Sequence, residues 1–148
     1  MLVEQYGTNS INVGDEGGFA PDITNEENSR SIRSCVNSIY NALDLIEQAI
    51  QRAGYEGKVE VGMDVAASEF YVEEKKKYDL LKKCHDKKKD EEDGLLTAKE
   101  LVEVYKDIQQ KYPLYLIEDG FDQDDFDGWS ALKNELGKSK YIHRRFKV

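Results

Sequence analysis

Two short apolar segments, each closed by a carboxylate, constrain this chain more than any other feature. Val59 and Val61 lead to Asp64, and the unbroken apolar run Leu114 to Ile117 leads to Glu118. Short apolar runs of this kind read as strands, and an uninterrupted one suits a strand covered on both faces, as in a parallel sheet. Between them, Thr97 and Glu100 have the spacing of a capping box, in which each residue satisfies an amide of the other at a helix start. Leu101, Val104, Tyr105 and Ile108 follow on one helical face, and Pro113 separates that helix from the second strand. Strand, helix, strand over residues 58 to 118 predicts a parallel α/β unit with a carboxylate at the C-terminal end of each strand. That is where an α/β barrel carries its chemistry.

Two further helices flank this unit. Ile32, Val36, Ile39, Leu43, Ile46, Ile50 and Ala53 recur at alternating steps of four and three, and Gly54 ends the run. A short coiled coil would show the same period, but this helix leads through Gly54 and Gly57 directly into a strand, which favours packing on a sheet. Trp129, Leu132 and Leu136 share a face in a final helix, with Gly137 as its stop. Residues 73 to 93, dominated by Lys, Asp and Glu without an apolar period, read as a mobile, solvated loop.

A third acidic site precedes these elements. Asp15 and Glu16 lie between Gly14 and the pair Gly17 and Gly18, and glycine permits backbone conformations that residues with a Cβ avoid. Alone, such a loop is equally a tight turn. Taken in order, NVGDEGGFAP, GMDVAASEF and IED followed by FDQDD resemble the corresponding motifs of the enolases at nearly their spacing. The likeness covers roughly Tyr6 to Trp129.

That resemblance implies an α/β fold: a fragment of the C-terminal TIM (β/α) barrel domain over residues 1–137, with an insertion at 22–41 and a divergent loop at 73–94. Residues 138–148 form an unmatched basic tail. It implies a carbon–oxygen lyase of glycolysis, dehydrating 2-phosphoglycerate to phosphoenolpyruvate with Mg2+ in the cytoplasm. By the same resemblance Asp64 and Glu118 are metal ligands, Glu118 also lies against substrate, and Glu16 is the catalytic acid/base. Asp15 is the adjacent alternative to Glu16. Magnesium prefers hard oxygen ligands and usually accepts only a few carboxylates, which suits the pair. Enolase-superfamily sites are an established case of this chemistry, with a Lys or His base and one or two magnesium ions stabilising the charge.

The chain also departs from the pattern. Gly120 replaces a proline after Glu118, which predicts a looser turn. The family's third metal carboxylate and its lysine base are absent: residues 138–148 contain no carboxylate, and no LLLKVNQ-like segment occurs. A complete barrel takes about 250 residues, against 148 here, so an incomplete enolase chain, inactive alone, is expected. Its open barrel edges predict association with other chains, or the homodimer common in the family. A non-catalytic enolase-derived protein or interaction module using the 32–53 helix is the alternative, and complementation of a full-length enolase is a third reading.

Charge and composition narrow the partners. Thirty acidic against twenty-one basic residues give a net charge of −9, unfavourable for nucleic acid and anionic membranes. No run approaches a membrane span, and the first residues lack the pattern of a signal peptide, so a cytosolic chain is expected. Cys35 and Cys84 are too isolated for a disulfide framework or paired metal ligands, and His85 belongs to the charged loop. The acid-rich stretch Glu118 to Asp127 fails as a calcium loop, since Phe126 and Asp127 occupy positions needing an oxygen and a glycine when Asp122 comes first.

Overall fold

The computed structural model describes residues 1–23, 31–84, 94–112, 114–137 and 141–143. A short helix α1 (Leu2–Tyr6) and a 3-10 turn (Thr8–Ile11) lead into a hairpin whose arms meet at the Val13–Phe19 bridge. In helix α2 (Ile32–Ala53), Ser31 accepts from the Ser34 amide at the start, and Gly54 ends the helix with φ 72°, where a Cβ would be strained. Its predicted apolar face divides along its length. Ile32, Ile39 and Leu43 pack on the core, whereas Ile46 is 43% exposed and Ala53 is exposed.

Strand β1 (Gly62–Asp64) comes next, then a small antiparallel sheet of β2 (Tyr71–Val72), β3 (Lys77–Asp79) and β4 (Leu95–Leu96). A one-turn helix, α3 (Leu81–Cys84), follows β3. Helix α4 (Ala98–Lys111) carries the chain to β5 (Leu116–Glu118), and α5 (Phe126–Leu136) carries it to β6 (Tyr141–His143). Strands β1, β5 and β6 form one parallel sheet in the order β1-β5-β6, with Gly62 opposite Leu116 and Ile117 opposite Ile142. Among the described residues this is an open segment of a barrel.

Helix α4 forms as its sequence predicts. Thr97 accepts from the Glu100 amide at 3.3 Å, and the Glu100 carboxylate accepts from the Thr97 amide at 2.8 Å, completing the capping box. That contact also lowers the Glu100 pKa, chiefly through the Thr97 backbone amide and then its hydroxyl. Replacing Thr97 with alanine should cost about 0.5–2 kcal/mol, read as a lower urea midpoint; an unchanged midpoint would show that the cap contributes nothing. Leu101, Tyr105 and Ile108 from α4 are buried with Ile117 of β5 and Leu132 of α5, and this contact forms the centre of the core.

Three expectations need correction. Residues 73–76 form an exposed turn, but residues 77–81 are not a solvated loop: Tyr78 of β3 is fully buried and packs against Tyr71, Phe70 and Phe121 at centroid distances of 4.9, 6.0 and 5.4 Å. Lys77, Tyr78 and Asp79 alternate across a strand, so one inward ring suffices to anchor a charged segment. Residues 85–93 lie outside the described set. The run Leu114 to Ile117 is covered unevenly: Leu114 and Ile117, which alternate to opposite faces, are both buried, whereas Tyr115 on the Ile117 face is 40% exposed. The third concerns Gly120. Its carbonyl accepts from the buried Tyr105 hydroxyl at 2.7 Å, and a Cβ there would lie 3.3 Å from Ile117 and Leu132, so the turn after Glu118 is held rather than loose. Residues 141–143 of the basic tail form the third parallel strand, although a single aliphatic residue, Ile142, gives little sequence signal for it.

Candidate active site at the strand ends

Asp64 is the last residue of β1 and Glu118 the last of β5, and the register pairs them directly. Register partners on neighbouring parallel strands project to the same face of a sheet, with strands roughly 4.8 Å apart. Two carboxylates are thereby brought to one edge of the fold, Asp64 exposed and Glu118 half-buried. The strands remain stitched beyond their ends: the Val65 amide donates to the Glu118 carbonyl and the Ala67 amide to the Asp119 carbonyl, both at 2.9 Å. Asp64 Oδ1 accepts from the Ala66 amide at 3.1 Å, which fixes the carboxylate against its own loop.

Backbone strain collects at the same edge. Ala66 and Asp119 have φ of 48° and 47°, left-handed values that cost residues with a Cβ roughly 1–2 kcal/mol. Such strain persists where surrounding contacts over-determine the chain, and it clusters at functional sites. Here the stitching amides and the Tyr105 to Gly120 bond supply those contacts.

The other predicted site residue belongs to a different element. Glu16 sits on the exposed hairpin, where Gly17 has φ 84° and the Gly14 and Gly17 amides close the turn at 2.8 and 2.9 Å. The hairpin's apolar residues Val13 and Phe19 are each 60% exposed.

The acid-rich stretch after Glu118 has structural work. Asp125 caps α5 by accepting from the Gly128 amide at 2.9 Å, and its other oxygen accepts from the Tyr78 hydroxyl at 2.6 Å. The Asp122 amide donates to that same hydroxyl at 3.0 Å, and Trp129 donates to the Asp122 carbonyl at 2.8 Å. Tyr78 and Tyr105, which position this loop, escaped sequence reasoning about the site. The available signal was that a buried phenol needs a polar partner.

Residues able to hold a metal are the hard oxygens of Asp64 and Glu118. The register continues from Glu118 to His143 on β6, placing a histidine rather than a carboxylate at the third strand end. Among the described residues no group of three His, Cys, Asp or Glu converges as a metal site. The donor chemistry of the pair suits magnesium, which completes its shell with waters and substrate oxygens.

An open parallel sheet backed by helices, with paired carboxylates at its C-terminal strand ends, defines a barrel-type α/β domain of the kind that carries enzymatic sites. The chain matches the family model for the enolase C-terminal TIM barrel domain over residues 1–143, and it belongs to that family. The match takes in β6 as well as the three motifs. No described helix is long and apolar enough to cross a membrane.

Proposed function

We propose that this chain carries part of the active site of a glycolytic enolase, which dehydrates 2-phosphoglycerate to phosphoenolpyruvate. The observation that supports this reading best is the direct pairing of Asp64 with Glu118 at the strand ends, bordered by the strained Ala66 and Asp119. Asp64 and Glu118 would hold Mg2+, and Glu118 would also border the substrate. The metal, when bound, neutralises charge that develops on the substrate carboxylate. Glu16 protonates the departing hydroxyl, a contribution worth about two to four orders of magnitude in rate for general acid catalysis.

The 148 residues alone are inactive on this reading. The 148 residues include neither the third carboxylate nor the lysine base of the resemblance. Catalytic groups of this kind act as a unit, so loss of one removes most of the rate.

Two measurements test the proposal. Titration with Mg2+ should show binding that Asp64→Asn and Glu118→Gln each abolish, whereas binding indifferent to both substitutions would remove the metal assignment. Assay with 2-phosphoglycerate should give no turnover. Magnesium-dependent turnover lost in Glu16→Gln would support the site but overturn the inactivity of the isolated chain.

A further inference from the structure

At the opposite end of β1 from the carboxylates, helix α2 and the segment entering the strand border an open groove of about 480 Å³. Its floor includes Leu43, Ile50, Val61 and Leu114. Around it stand Glu47, Glu56 and Glu60, all exposed, and among the described residues no lysine or arginine lines the space. Among the described residues these three carboxylates make no ion pair or side-chain hydrogen bond. The nearest lysines in sequence are turned to aromatic rings: Lys58 lies 5.9 Å from the Tyr55 centroid, and Lys111 lies 4.5 and 4.9 Å from those of Tyr40 and Tyr112.

We propose that this groove docks a peptide segment of a partner protein, basic along its length and carrying an apolar anchor residue. The size falls within the roughly 300–1,000 Å³ range of ligand sites, enough for an anchor side chain. An apolar floor gives such an anchor its burial, and three exposed carboxylates at the rim complement the flanking cations and steer their approach. Anionic ligands are disfavoured by the same rim, and a second copy of this chain, at net charge −9, meets repulsion there. The inference does not depend on the metal site, which lies at the other end of the strand.

Fluorescence anisotropy with a labelled Arg-Leu-Lys-Phe-Arg-Lys peptide tests it. Saturable binding should weaken with added salt, because the rim charges are exposed. Glu47→Gln, Glu56→Gln and Glu60→Gln combined should weaken binding at least tenfold without moving the melting temperature. Asp124→Asn with Asp127→Asn, which neutralises acids elsewhere, should leave it unchanged. On the unmodified chain, peptides with Gln replacing the cations, or Ser replacing Leu and Phe, should bind at least tenfold more weakly. Equal binding of either peptide, or no effect of the triple substitution, would overturn the proposal. So would a concentration-dependent dimer abolished by that substitution, since the occupant would then be a second copy.

Discussion

Replacing Tyr78 with alanine should leave the chain largely unfolded at room temperature. Deleting a buried aromatic ring costs about 3–5 kcal/mol in transfer and cavity terms, and Tyr78 is fully buried among three aromatic neighbours and the α5 cap. The loss extends beyond packing, because the Asp125 carboxylate and the Asp122 amide both lose their phenol partner. A buried polar group left unsatisfied adds about 1–3 kcal/mol. Together these approach the roughly 5–15 kcal/mol that stabilises a whole domain. Tyr78→Phe separates the terms: it keeps the ring, loses the hydroxyl, and should fold with a lower urea midpoint. Near-normal stability of the alanine variant would mean that the β2–β4 sheet does not anchor the core.

Raising the pH above about 10 should unfold the chain through its tyrosines. Burial raises the pKa of Tyr105, and burial followed by the Asp125 hydrogen bond raises that of Tyr78. Tyr112 is raised by burial and then by its bond to Asp44, and Tyr71 by burial and the charge of Asp125. An unfolded tyrosine loses its proton near pH 10, while the folded phenols retain theirs to higher pH. The unfolded state therefore binds fewer protons over this window, and stability falls as pH rises. The contribution is whole below pH 10 and is lost progressively toward the folded values. Lys106, raised by hydrogen bonds to Glu103 and then Glu135, acts in the same sense. The urea midpoint should be much lower at pH 11 than at pH 8. Tyr105→Phe should be weaker at pH 8, having orphaned the Gly120 carbonyl, yet show a shallower alkaline decline. Equal midpoints for the unmodified chain at both pH values would contradict the burial of these phenols.

Elements governed by local pattern were legible in the sequence. The capping box at Thr97, the Gly54 stop and the strand-end positions of Asp64 and Glu118 each follow from residues close together in the chain. Features that depend on distant partners were not. Tyr78 reads as one ring in a charged segment until Asp125 and Phe121 are known to meet it. The tension of the Gly120 turn likewise depends on a hydroxyl from α4. Strand β6 lacks an apolar run, and its pairing with β5 supplies what its own residues do not indicate. The motifs marked Glu16 by resemblance, but motif spacing cannot place a hairpin in space.

The pairing of Asp64 with Glu118 has a consequence for the order in which the molecule assembles. β5, α5 and β6 are consecutive and can dock after a short search, whereas β1 meets β5 only after the chain has passed through the whole β2–β4 sheet and α4. Contacts of long sequence separation form slowly, because loop closure must be met before they reward it. The two carboxylates therefore come together late in folding. In a hydrogen-exchange experiment, the amides of Val65 and Ala67 should gain protection after those of α4, making the site a reporter of completed folding.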